Sequence, residues 1–172
     1  MKKLFFIFLA LLCLGWVSNL LFNKEDNVKE KLESPKMLTY IDKTYGIKVQ
    51  YPEFFDASDT TEPGTARFHF INGNRRDISL VMFVEPNIEC WNIADAISNL
   101  SDSITVCMES TEDYYIMLGK LDNGRGSYVE KCFLIDNTWV NYTLYYKPQY
   151  EEMMGKLKEM IMKWEPFSYD EL

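Results

Sequence analysis

The chain has 172 residues, 47% of them hydrophobic and 15% aromatic, and a formal net charge of -8. That length holds one domain of ordinary size, and that apolar fraction builds a core without disulfide staples. No basic stripe answers a phosphate backbone, so nucleic acid is not an expected partner, and an anionic lipid surface would repel most of the domain.

Lys2 and Lys3 precede an almost unbroken apolar run from Leu4 to Val17. A basic start followed by a hydrophobic segment is the pattern of an export signal, so residues 1–22 are read as a signal peptide or N-terminal membrane anchor. Three forms of it compete. Leu9-Ala10-Leu11-Leu12-Cys13 has the outline of a lipoprotein signal, which makes Cys13 the candidate lipidation site, although Leu12 stands where a small residue is usual. Cys13-Leu14-Gly15 also fits ordinary cleavage. Leu4 to Phe22 approaches the ~20 residues that cross a bilayer. Each places the remaining chain outside the cytoplasm, membrane-anchored or secreted.

Residues 23–36 alternate in charge through Lys24, Glu25, Asp26, Lys29, Glu30, Lys31 and Glu33, and Pro35 closes the stretch. So few apolar residues read as a solvated tether, with a frayed helix up to the proline as the alternative. Residues 37–172 form the globular domain.

Within it the periodicity is mostly two, the signature of strands. Leu38 to Ile41 and Ile47 to Tyr51 flank Lys43-Thr44-Tyr45-Gly46 and predict a hairpin that Pro52 ends. Asp56 to Thr65 reads as loop. Ala66 to Ile71 alternates, Asn72-Gly73-Asn74 turns the chain, and Ile78 to Val84 reads as a central strand covered on both faces. Cys90, Ile93, Ala94, Ile97 and Leu100 recur at helical spacing over about three turns. Ile104 to Met108, Tyr114 to Leu121, Ser127 to Ile135 and Trp139 to Tyr146 are further strands, the last two joined through Asp136-Asn137-Thr138. A closing helix carries the stripe Tyr150, Met153, Met154, Leu157, Met160, Ile161 and Trp164, with Lys156, Glu159 and Lys163 on its wet side. Short turns between neighbours predict an α+β fold, a predominantly antiparallel sheet flanked by helices on both faces.

Chemistry is sparse. His69 is the single histidine, and a Cys–His pair with Cys90, Cys107 or Cys132 lacks any local signature. The three cysteines match no zinc spacing, and their odd number forbids full pairing. One bridge is permitted, with Cys90–Cys107 the closest in sequence, but buried, unpaired thiols are the expectation for at least two. Glu85, Glu89, Glu109, Glu112 and Asp113 read as loop carboxylates. No catalytic, cofactor-binding or metal-binding residue is assigned, and no cofactor is expected. Among the aromatics, Trp139 and Tyr145 are the candidate ligand surface, because they lie opposite the Val140 face of their strand.

Tyr45-Gly46-Ile47 leading to Tyr51-Pro52, the aromatics Phe54 and Phe55, the Arg76 to Val84 strand, Leu118-Gly119 before Gly126-Ser127-Tyr128, and the Met-rich last helix are the residues of a resemblance. In that order the chain resembles the PsbP-like superfamily, α/β/α sandwiches, and within it an exported bacterial lipoprotein-type member. The resemblance implies a binding or assembly module without a cofactor. The expected function is therefore an exported, envelope-tethered, non-enzymatic binding module. Its partners would be the membrane, through the N-terminal segment, and another envelope protein or a small ligand. The alternative is a small extracytoplasmic hydrolase using carboxylates or a Cys–His pair.

Overall fold

The computed structural model describes residues 28–100, 105–121 and 124–167. Residues 28–33 are helical (α1), and Met37–Ile41 (β1) pairs antiparallel with Lys48–Pro52 (β2) as a separate two-stranded sheet. Seven strands make the main sheet: Asp56–Asp59 (β3), Thr65–Asn72 (β4), Arg75–Pro86 (β5), Thr105–Ser110 (β6), Tyr114–Lys120 (β7), Ser127–Ile135 (β8) and Thr138–Tyr146 (β9). They lie antiparallel in the order β3-β4-β5-β9-β8-β7-β6. Helix Ile93–Leu100 (α2) precedes β6, and a 3-10 turn at Pro148–Met153 leads into Gly155–Lys163 (α3).

Alternation along each strand sends neighbours to opposite faces, and this builds two cores. On one face Phe68, Leu80, Met82, Tyr142 and Leu144 pack beneath α1, the β1–β2 hairpin and α3, whose Leu157 and Ile161 are fully buried. On the other, Trp139, Cys132, Tyr115 and Met117 pack beneath Ile93 and Ala96 of α2. Helices thus flank a predominantly antiparallel sheet on both faces, the α+β arrangement read from the sequence. The Tyr51 and Phe68 rings stack at 4.1 Å between centroids, and the Tyr142 hydroxyl donates to the Gln50 carbonyl at 2.6 Å, so the hairpin is fastened to the main sheet.

Local chemistry explains the connections. Asp136 (φ 49°) and Asn137 (φ 59°) both take the left-handed conformation, the geometry of a two-residue hairpin turn that matches strand twist. The Asp42 carboxylate accepts from the amides of Thr44 and Tyr45, each at 2.9 Å, and of Gly64 at 2.7 Å, pinning the first hairpin to the loop before β4.

Several expectations are corrected. The tether is not wholly solvated: Val28 and Leu32 share one side of α1, and Leu32 is completely buried while Lys29, Glu30, Lys31 and Glu33 stay exposed. One leucine on the right side of a helical turn is enough to dock a segment whose composition is polar. β3 lies inside the expected loop, pairing with β4 through Asp56–His69 and Asp59–Arg67. The central strand is β9, and β5 is covered fully on one face only, since Val81 and Phe83 are half-buried. α2 starts at Ile93, because Asn92 and Asp95 cap it reciprocally: the Asp95 amide donates to Asn92 Oδ1 at 2.9 Å and the Asn92 amide to Asp95 Oδ2 at 3.3 Å. Cys90 therefore precedes the helix, exposed, at φ 53°. The single closing helix is divided at Met154. Cys13 and the export segment lie outside the described residues.

Candidate ligand-binding cleft

The two aromatic candidates sit on the α2 face of β9, as alternation requires, but they do not form a platform. Trp139 is only 7% exposed, closed in by Ile93 and Ala96, with its ring 6.3 Å from that of Tyr115. Tyr145 is half-buried, its ring 6.1 Å from Tyr128, and burial with the nearby Glu130 charge holds its phenol above the usual range. A strand position opposite one core was itself the floor of a second core.

The groups proposed for chemistry are dispersed. His69 shares a 2.9 Å hydrogen bond between Nδ1 and the Ser79 hydroxyl, and its buried Nε2 has no hydrogen-bond partner among the described residues. Cys132 on β8 lies three strands from β4, on the order of 14 Å at ordinary strand spacing. Cys107 on β6 is farther still, and Cys90 is in the loop before α2. All three cysteines are free thiols, but only Cys132 is buried, with Cys107 half-buried and Cys90 exposed, which corrects the expectation of at least two buried thiols. Burial, then the Glu130 charge, pushes the Cys132 thiol up, which opposes the thiolate a nucleophile needs. Glu85, Glu89, Glu109, Glu112 and Asp113 are exposed. Glu130 is held above the ordinary carboxylate value by burial, while accepting from Thr143 Oγ1 at 2.9 Å and the Tyr115 hydroxyl at 3.1 Å. Among the described residues no three potential metal ligands converge.

Concavity lies on the opposite face. The outer side of the β1–β2 hairpin and the flank of α3 enclose a cleft of about 720 Å³. Ordinary ligand sites occupy roughly 300–1,000 Å³ and combine apolar walls with a few placed polar groups. Here Leu157 (0% exposed) and Trp164 (7%) belong to the core itself and form the floor. Half-buried Pro35, Met37 and Met160 form the walls, and Thr39 and Gln50 project from the strands. Lys48, Lys156, Glu159, Lys163 and Glu165 supply the charged rim.

Each part is held from behind. The Trp164 indole N–H donates to the Lys48 carbonyl at 2.8 Å, and the Lys48 amide donates to the Pro166 carbonyl at 3.1 Å, fixing the width at one end. The Glu159 carboxylate takes Lys163 at 2.7 Å on Oε1 and Lys156 at 3.2 Å on Oε2. Both lysines hold that carboxyl below its usual range. Glu165 is 3.7 Å from the Lys131 ammonium, which lies 4.5 Å over the Tyr114 ring and 4.9 Å over Phe133.

Sequence reasoning missed this cleft. Lys156, Glu159 and Lys163 read as an ordinary wet helix face, and Met160 as part of a stripe facing the sheet. No local signal marked it: seven apolar positions over fifteen residues is the ordinary density of a stripe facing one core. Which part remained uncovered depended on where the hairpin settled.

No family model matches the chain, and no curated protein matches it. By structure it is similar to a cyanobacterial PsbP (CyanoP) from Synechocystis sp. PCC 6803, determined in solution, with a TM-score of 0.49 and 13% identity over 75% of this chain and 91% of that chain.

Proposed function

We propose that this chain is an exported, envelope-tethered binding module that holds a small ligand in the cleft between the β1–β2 hairpin and α3. The observation that carries the reading is the cleft itself, an apolar floor continuous with the core beneath a charged rim. The basic and apolar N-terminal segment supports export. Among the described residues no helix is long and apolar enough to cross a membrane. The dispersal of His69, the cysteines and the exposed carboxylates favours binding over hydrolysis.

The test is retention. The full chain, extracted in mild detergent from cells producing it, is analysed by native mass spectrometry beside Thr39→Trp, whose bulky side chain at an exposed strand position fills the cleft. A small molecule carried by the wild type and lost from the variant supports the assignment. Equal retention by both, or by neither, overturns it. Protease treatment of intact cells checks the compartment: a protected domain contradicts export to the outer surface, and protection that persists after the outer barrier is opened contradicts export altogether.

A further inference from the structure

The charge at the cleft opposes the charge of the chain. Against a net -8 overall, the rim presents Lys48, Lys156 and Lys163 and two carboxylates. One of these, Glu165, faces Lys131 as well. The other, Glu159, is shared by two ammonium groups, so that trio retains one positive charge. Lys156 and Lys163 are 61% and 75% exposed at their side chains, so an entering group can reach them beside Glu159. Below them Leu157 and Trp164 on the floor and Met160 on the wall offer no charge.

We infer that the cleft takes an anionic amphiphile, a molecule with one acidic head and one apolar body, the head at Lys156 and Lys163 and the body on Leu157, Met160 and Trp164. This rests on the cleft being the binding site. The physical reason is division of labour. Burial of apolar surface against the floor supplies about 25 cal/mol per Å² and no choice among amphiphiles. The ammonium pair supplies the choice, since an acidic head meets surplus positive charge where a cationic head is repelled and a neutral one gains little. A carboxylate head, as in a free fatty acid, and a phosphate head, as in a lipid, share this chemistry.

The experiment uses the full chain in nanodiscs of zwitterionic phosphatidylcholine, with two photoactivatable diazirine probes, a ten-carbon acid and the matching alcohol. Cross-linked peptides are mapped by mass spectrometry, with decanoate, decyl phosphate and decanol as competitors. The acid probe is expected to label the peptides carrying Met37, Leu157 or Met160. Decanoate or decyl phosphate should displace it at concentrations at least tenfold below decanol, and whichever is stronger identifies the source. Lys156→Gln with Lys163→Gln should weaken labelling by the acid roughly three- to tenfold and leave the alcohol unchanged, whereas Glu159→Gln should strengthen it. Labelling of the cleft by the alcohol but not the acid, or equal competition by decanol, overturns the anionic assignment and leaves the cleft as a binding site. Labelling by neither probe overturns both.

Discussion

The Trp164 indole donates to the Lys48 carbonyl across 116 residues of chain, at 2.8 Å, and so joins the end of α3 to the edge of the first hairpin. The same ring packs edge-on against Phe133 and Tyr142, with centroids 5.7 and 5.2 Å away. Packing and hydrogen bond are separable. Trp164→Phe keeps an aromatic ring and loses the donor, and should cost about 1 kcal/mol in urea unfolding. Trp164→Ala should cost about 3–5 kcal/mol, because it also opens a cavity in the floor of the cleft. If the phenylalanine variant matches the wild type in stability, the indole bond contributes nothing beyond packing.

Asp77 is the buried electrostatic anchor of the turn that follows β9. Its side chain is 0% exposed and accepts from Lys147, from the Tyr150 hydroxyl at 3.0 Å and from Asn72 at 3.4 Å. Burial alone would raise its pKa, but those donors outweigh burial and hold it below the ordinary 3.8. A carboxylate with a depressed folded pKa contributes stability that is whole above 3.8 and drains away as pH falls through the folded value. Asp77→Asn should therefore cost about 2–4 kcal/mol at pH 7, leaving Lys147 without its closest partner. The deficit should shrink below pH 4. A constant deficit from pH 7 to pH 3 contradicts the ion pair.

The elements of this fold were legible where sequence pattern and burial share a period. Thr138–Tyr146 shows the alternation Val140, Tyr142, Leu144, Tyr146 that its structure uses, and Asp136-Asn137 is a turn by residue chemistry alone. Legibility failed where a second layer decides burial. Trp139 and Val140 are equally apolar neighbours on opposite faces, and only the docking of α2 turns the Trp139 side into core. Leu32 looked like an isolated leucine among charges until α1 settled on the sheet. The cleft was the least readable feature, since it is the space left between a hairpin that ends at Pro52 and a helix that starts at Gly155, and no local pattern records a gap.

His69 makes acid stability a property of β4. Burial, then the Arg76 charge, holds its pKa below the ordinary 6.5, with Arg67 acting in the same sense against Asp59 and Asp56. A base disfavoured when charged binds fewer protons folded than unfolded, so its contribution is complete above 6.5 and is lost as pH falls toward the folded value. The wild-type urea midpoint should drop between pH 7 and pH 5.5. His69→Gln, which keeps a hydrogen-bonding group beside Ser79, should show a flatter profile across that window. Parallel profiles mean that His69 is solvated enough to titrate normally.

Glu130 works in the opposite direction. Burial holds its carboxyl above the ordinary 4.5 although Thr143 and Tyr115 both donate to it. The folded chain therefore retains the proton longer than the unfolded one, and stability from this group is full below pH 4.5 and declines as pH rises through the folded value. Glu130→Gln removes the buried charge and keeps a side chain that the two hydroxyls can still meet. It should raise the melting temperature at pH 7.5 relative to wild type, with the gain vanishing toward pH 4.5. His69 and Glu130 sit on strands three apart, on the order of 14 Å, so the two substitutions should add to within about 0.5 kcal/mol. The double variant should then be the least pH-sensitive of the set between 4.5 and 6.5. A Glu130→Gln protein less stable than wild type at pH 7.5 would show that the ionised carboxylate is worth more to its two hydroxyl donors than its burial costs.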